Sequence, residues 1–183
     1  YLERALAMRP SSAKIKYVYA LYLTARGKHK AAIRLLSEAL KKNPLSLHIN
    51  ADLAQAYLNI GKPAEALEQY NRTLELDPDF RSAIEGKGWA FVACGDLENA
   101  RQVFEAYHTS VGDSYKGITP LGYINAKLGN RETALEYLGL IKQREHLEPE
   151  VVLHMDFAVI YLGLGDHDRV FEYLQKAVDE RLG

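Results

Sequence analysis

The chain has 183 residues and a net charge of −1, because 23 Lys and Arg side chains nearly balance 24 Asp and Glu side chains. This length suffices to bury a sizeable apolar core, no run of residues approaches the roughly 18 uninterrupted apolar residues of a membrane helix, and the single cysteine excludes an internal disulfide framework and a multi-cysteine metal site. Composition alone leaves the function open.

The charge is distributed unevenly along the chain. Residues 1–46 carry 10 Lys and Arg against 2 Asp and Glu, which gives +8, and the remaining residues carry 13 against 22, which gives −9. One end of the molecule is therefore basic.

A period of 34 residues organises the sequence from beginning to end. After a first helix over residues 1–12, the same residue types recur in units at 13–46, 47–80, 81–114, 115–150 and 151–183. A fixed period of this length indicates a repeat array. The sequence therefore predicts one leftover helix followed by five helical hairpins.

Each column of the repeat has a physical role. Two small residues twelve positions apart let a pair of helices approach closely, and a large apolar residue fills the space around the crossing. Glycine ends the first helix in a left-handed conformation, and proline separates the hairpins. The columns are Ala20, Ala54, Gly88 and Gly122; Gly27, Gly61, Gly95 and Gly129; Ala32, Ala66, Ala100 and Ala134; Leu36, Tyr70, Phe104 and Leu138; and Pro10, Pro44 and Pro78.

These columns resemble the tetratricopeptide repeat (TPR), and the resemblance covers essentially the whole chain. It implies an all-α fold, a right-handed α-solenoid of TPR helical hairpins that forms a single superhelical domain over residues 1–183. One family feature is missing, because Lys16, Asn50 and Ile84 replace the aromatic residue at the fourth repeat position. Since the array begins with half a hairpin, we expect the sequence to be a segment of a longer protein.

Two stretches break the period. Pro120 favours a helix that starts near Thr119, because proline is tolerated in the first turn of a helix. The loop 110–118 before it is either a bridge over the binding face or a distorted connection, and two residues are inserted within 144–149.

Residues 121–183 resemble the ends of TPR arrays in bacterial signalling proteins, where the array accompanies a nucleotide cyclase, a kinase or a winged-helix DNA-binding domain. This resemblance implies a bacterial regulatory or sensory module.

Residues that could carry chemistry are few. The main candidates are His154, Asp156, Asp166, His167 and Asp168. Residues two apart on a helix point in nearly opposite directions and do not share a metal, and Asp166 is typical of a helix cap. We predict no catalytic residue, no metal site and no cofactor, and keep a metal-dependent hydrolase as a remote alternative.

Cys94 is expected in the core, because free cysteine usually behaves as a small hydrophobe.

In the TPR family, the first helix of each repeat lines the concave face, with repeat positions two, five, nine, twelve and thirteen toward the groove. Carried over to this sequence, the resemblance predicts the partner-binding residues Tyr17, Leu21, His48, Gln55, Asn59, Glu85, Trp89, Lys116, Tyr123, Lys127, Met155 and Val159. Trp89 stands out, since large aromatic residues are enriched in binding hot spots, although core packing between helices explains a tryptophan equally well.

Some TPR domains grip the terminal carboxylate of a chaperone tail with Asn and basic residues. The corresponding positions here hold Leu21, Asp52, Ser82 and Gly86. Chaperone-tail binding is therefore not predicted.

The predicted function is that of a scaffold that binds a protein or peptide, which is either a separate partner or another domain of the same chain. The opposite charges of the two ends also favour head-to-tail self-association. Nucleic-acid binding through the basic first third is the alternative. It is the less favoured one, because the lysines lie mainly at turns and on outer helices without aromatic residues placed for stacking.

Overall fold

The computed structural model describes residues 1–111, 115, 117–148 and 151–182, except for the side chains of Glu3, Val111, Arg181 and Leu182. The chain divides into two compact units, Tyr1–Asp96 (unit 1) and Leu97–Gly183 (unit 2). Every regular element in the described residues is an α-helix. The predicted all-α class is therefore confirmed, and none of the helices described is long and apolar enough to cross a membrane.

Unit 1 contains a leading helix, two complete hairpins and the first helix of the third predicted repeat. Neighbouring helices pack against each other in chain order, and α4 also contacts α6. Ser12 and Ser46, which are 34 residues apart, cap α2 and α4 by accepting from the backbone N–H three residues ahead. The helices are α1 (Leu2–Met8), α2 (Ala13–Ala25), α3 (His29–Leu40), α4 (Leu47–Asn59), α5 (Pro63–Leu76) and α6 (Arg81–Cys94).

Unit 2 contains the second helix of the third predicted repeat and two further hairpins. In this unit α10 packs on α8 and α9, and α11 packs on α10. The helix α8 begins at Ile118 with Pro120 in its first turn, so the prediction of a helix start near Thr119 is correct to within one residue. The helices are α7 (Leu97–Val111), α8 (Ile118–Lys127), α9 (Arg131–Leu147), α10 (His154–Leu164) and α11 (His167–Leu182). The prediction of a single domain over the whole chain stays a prediction.

The small and large columns of the repeat form the cores of the two units. The alanines at the twentieth repeat position are all fully buried, and so are Ala20 and Ala54 at the eighth position. The large column, Leu36, Tyr70, Phe104 and Leu138, is buried around them. The turn glycines have positive φ, from 70° at Gly27 to 86° at Gly129, which is the left-handed conformation that glycine adopts without a steric penalty.

The fourth repeat position makes polar contacts with the second helix of its hairpin in place of aromatic packing. Lys16 Nζ lies 2.5 Å from Glu38 Oε2. Asn50 is buried, its Nδ2 donates to two backbone carbonyls at 2.8 and 3.1 Å, and its Oδ1 accepts from Gln69 Nε2. Buried amides with partners on both ends cost little. Directional bonds thus replace the missing aromatic contact in the first two hairpins.

Cys94 is exposed at the last position of α6, so the prediction of a core cysteine is wrong. Gly95 follows directly in the left-handed conformation and ends the helix there. The thiol therefore lies at an open helix end rather than inside the hairpin.

Close packing at Gly86 gives a test of the core of unit 1. A Cβ at this position would overlap the Tyr70 ring, so Gly86→Ala must displace a fully buried aromatic side chain. We expect the free energy of unfolding to fall by about 1–3 kcal/mol, measured by chemical denaturation.

The matched control is Gly139→Ala on α9, where a Cβ meets nothing within 4 Å. Alanine has the higher helix propensity, so this variant should gain up to about 1 kcal/mol. Equal effects of the two substitutions would contradict the close contact at Gly86.

Candidate partner-binding surface

The predicted binding residues lie on the first helices of the hairpins, except for Lys116, which is outside the described residues. None of the other eleven is buried. Those exposed are Leu21, His48, Gln55, Asn59, Glu85, Lys127 and Met155, and those partly exposed are Tyr17, Trp89, Tyr123 and Val159. All eleven are accessible to solvent, and their role in binding stays a prediction. Trp89 is only partly exposed, which agrees with both of its interpretations.

In unit 1, a hydrogen bond between Tyr17 and Asp52 joins α2 to α4. The phenol O–H of Tyr17 donates to Asp52 Oδ2 at 2.8 Å. Tyr17 is the fifth residue of its repeat, and Asp52 is the sixth residue of the next one. The bond therefore links neighbouring hairpins on the side of their first helices.

The environment of Asp52 is unusual for a carboxylate. Burial raises the pKa of Asp52 above its ordinary value of 3.8, although the bond from Tyr17 and the nearby His48 act in the opposite direction. Burial and the bond to Asp52 raise the pKa of Tyr17 to about 12. Among the described residues, no Lys or Arg forms an ion pair with Asp52. The ionised carboxylate is thus held by one neutral donor, without a compensating cation.

Two amide side chains follow Asp52 along the exposed side of α4. Gln55 Nε2 donates to Asn59 Oδ1 at 3.1 Å, and Gln55 Oε1 accepts from the Tyr70 hydroxyl at 3.2 Å. Asn59 Nδ2 lies 3.5 Å from His29 Nδ1. Residues three and four apart share a helix face, so Asp52, Gln55 and Asn59 form one polar row. Amides both donate and accept, which suits them to the backbone of a bound polypeptide.

Unit 2 has the same hydroxyl–carboxylate contact at equivalent repeat positions. The Thr119 hydroxyl donates to Asp156 Oδ1 at 2.5 Å. Thr119 is the fifth residue of its repeat, and Asp156 is the sixth residue of the next. No Lys or Arg within the described ranges pairs with Asp156. On α8, Lys127 Nζ lies 5.8 Å from the ring centroid of Tyr123, so these two predicted binding residues are neighbours.

The His and Asp residues near the end of the chain do not converge on a metal. His154 Nε2 lies 2.9 Å from Glu180 Oε1, and Asp166 accepts from the backbone N–H of Arg169 at 3.2 Å. The latter bond confirms Asp166 as a helix cap. In the part of the chain that the structure describes, no group of three His, Cys, Asp or Glu side chains is arranged to hold a metal ion.

Sequence reasoning missed both hydroxyl–carboxylate pairs. Their members are 35 and 37 residues apart. The first spacing is the repeat length plus one, and the second adds the two-residue insertion. A hydroxyl in the fifth column followed by an acid in the sixth column of the next repeat is the signal that identifies them.

Comparison with known proteins agrees with the helical-repeat fold. The tetratricopeptide-repeat family model matches residues 23–87. A thermophilic TPR protein of Thermus thermophilus has a similar structure, with a TM-score of 0.74 and 25% identity over 92% of this chain and 91% of that chain. Residues 23–87 therefore match the tetratricopeptide repeat, and the described helices have the fold of solved TPR proteins. The predicted fold class, an α-solenoid of TPR hairpins, is confirmed.

Curated relatives are similar to part of this chain over part of their own length. The chain is 32% identical over 84 residues to Protein SGT1 homolog of Oryza sativa subsp. japonica, which covers 45% of this chain and 23% of that protein. It is 28% identical over 79 residues to the Hsp70-Hsp90 organizing protein of Triticum aestivum, which covers 43% of this chain and 14% of that protein. The chain thus spans less than a quarter of the length of these two relatives.

Asp52→Asn should raise the melting temperature at neutral pH. A folded-state pKa above 3.8 means that the protonated carboxyl favours folding below pH 3.8, and that this stability is lost as the pH rises through the folded pKa. Asn keeps an acceptor for Tyr17 and removes the half-buried charge. Thermal denaturation over a pH series should show that the melting temperature of Asp52→Asn exceeds that of wild type most at neutral pH, and that the difference shrinks toward pH 3.8.

The control for this prediction is Glu75→Gln, which removes an exposed carboxylate from α5 in the same unit. It should leave the melting temperature nearly unchanged at every pH. A lower melting temperature of Asp52→Asn at neutral pH would show that the carboxylate stabilises the fold.

Proposed function

We propose that the TPR chain is a non-catalytic scaffold that binds a protein or peptide through its first-helix surface. Each unit is taken by itself: the name denotes the exposed sides of α2, α4 and α6 in unit 1, and separately those of α8 and α10 in unit 2. The observation that carries the proposal is that eleven candidate residues on these helices stay accessible while small residues of the same helices, such as Ala20, Ala54 and Gly122, are buried. Exposed aromatic, aliphatic and amide groups suit an extended segment or a helix with a few apolar anchors.

The partner differs from a chaperone tail. The name of the wheat relative indicates chaperone partners for that protein. Here Leu21 and Ser82 replace polar or basic clamp residues, and Asp52 would repel a terminal carboxylate. An internal segment of a partner polypeptide fits the surface better.

The biological setting that we propose is a bacterial regulatory or sensory protein, with the partner either a separate protein or another domain of the parent chain. The resemblance of residues 121–183 to the arrays of bacterial signalling proteins supports this setting. The +8 charge of residues 1–46 against the −9 of the remainder supports head-to-tail self-association as a further contact. Nucleic-acid binding is less favoured, since Lys16 in the basic segment is already paired with Glu38.

Trp89→Ala and Tyr123→Ala should each weaken partner binding without unfolding the protein. The measurement starts with peptides selected from a random phage-displayed library against the full chain, followed by determination of Kd by fluorescence anisotropy. Each substitution in a peptide-contacting position should raise Kd about tenfold or more. A substitution that lowers the melting temperature and the affinity in parallel would assign the side chain to the core.

The matched control is Phe171→Ala, which removes an aromatic side chain that is 71% exposed on the second helix α11. This substitution should leave Kd unchanged. Failure to select any binding peptide with the folded chain would overturn the proposed function.

A further inference from the structure

The carboxylates of unit 1 differ in whether they form ion pairs, and this difference indicates which chemical class of partner unit 1 binds. On the second helix α5, two acidic side chains have basic partners, Glu65 with Lys62 and Glu68 with Arg72. These pairs are exposed. Asp52, on a first helix, is more buried than Glu65, and among the described residues the Tyr17 hydroxyl is its only hydrogen-bond partner.

Among the described residues, the groups that face Asp52 are two phenols and one imidazole. They are the phenols of Tyr17 and Tyr70 and the imidazole of His48, one turn earlier on α4. A carboxylate that has lost part of its water attracts a cation strongly, because the effective dielectric constant is lower there than in bulk solvent. Residues 1–46 hold ten basic side chains, and none of them forms an ion pair with the Asp52 carboxylate.

The polar row extends the site beyond a single charge. His48 and Gln55 flank Asp52 on the exposed side of α4, and Asn59 lies one turn further. When a side chain of a bound polypeptide reaches Asp52, the donors and acceptors of these polar residues can bind the backbone peptide groups on either side of that partner residue. A lone inorganic cation does not fit, because one carboxylate and one phenol provide too few ligands.

We propose that the first-helix surface of unit 1 recognises a basic polypeptide segment, in which one Lys or Arg side chain pairs with Asp52 while Gln55 and Asn59 bind the backbone beside it. This proposal rests on the proposed function and names the class of partner. The Tyr17 hydroxyl acts as a positioning group, since it fixes one carboxylate oxygen and leaves the other for the incoming cation.

The contact in unit 2 is an independent instance of the same arrangement. Asp156 on α10 also receives a hydroxyl from the preceding first helix, and it also lacks a basic partner among the described residues. The same type of cation therefore fits Asp156, and each unit offers one such position.

The test is a set of parallel selections of short random phage-displayed peptides against the wild-type chain, Asp52→Asn and Glu75→Gln. Wild type and Glu75→Gln should enrich peptides with Lys or Arg at one fixed position, and Asp52→Asn should lose this enrichment. Replacing that basic residue by Gln in a selected peptide should raise Kd about tenfold or more for wild type and far less for Asp52→Asn. Added salt should weaken the wild-type complex more than that of Asp52→Asn.

Each outcome separates this inference from the function beneath it. If no peptide is selected by any variant, the proposed peptide-binding function fails. If peptides bind wild type without a preference for Lys or Arg, or if Asp52→Asn keeps that preference, only the assignment of a basic partner is overturned. Loss of the preference in Glu75→Gln would trace it to overall charge and would also overturn the assignment. A melting temperature of Asp52→Asn at or above that of wild type excludes misfolding as the cause of lost binding.

Discussion

The structure depends on one constraint, the close approach of helices at alanine and glycine every 34 residues. Ala32 and Ala66 have no exposed surface, and Ile160 and Tyr137 occupy the space where a side chain on Gly122 would lie. At such short separations, a helix pair has one well-packed arrangement, because larger side chains would clash and smaller ones would leave voids. Since the same small residues recur at the same spacing, successive hairpins within a unit repeat the same geometry.

That regularity determines which side chains meet between hairpins. The fifth position of one first helix lies beside the sixth position of the next, as the bonds from Tyr17 to Asp52 and from Thr119 to Asp156 show. Neither pair lies in one of the small, glycine, large apolar or proline columns of the repeat. Each arises because the packing brings two variable positions together, and a hydroxyl and a carboxylate then form a hydrogen bond.

Local sequence signals predicted most of the fold, and the site much less. Glycine and proline act through their own backbone geometry, so Gly95 and Pro120 marked a helix end and a helix start correctly. Alanine columns mark helix crossings for a similarly local reason. Cys94 was misplaced because general burial preference does not account for a helix that ends at the next residue. The hydrogen bond between Tyr17 and Asp52 was missed because the two residues belong to different repeats. Aligning the repeats compares equivalent positions, so it does not show which side chains of neighbouring repeats meet.

The contrast between two polar residues of α4 separates structure from recognition. Asn50 is buried, but both ends of its amide are satisfied within the unit, by Gln69 and by backbone carbonyls. Such a residue fixes the hairpin and needs nothing from outside. Asp52 lies two residues later, carries a charge when ionised, and receives one hydrogen bond from within the described residues, donated by the neutral Tyr17 hydroxyl. Folding alone does not explain a half-buried carboxylate without a counter-ion, because an amide would accept the same bond from Tyr17 without the desolvation of a charge. The unmet electrostatic requirement is what makes Asp52, rather than the more deeply buried Asn50, the position at which a partner gains binding energy.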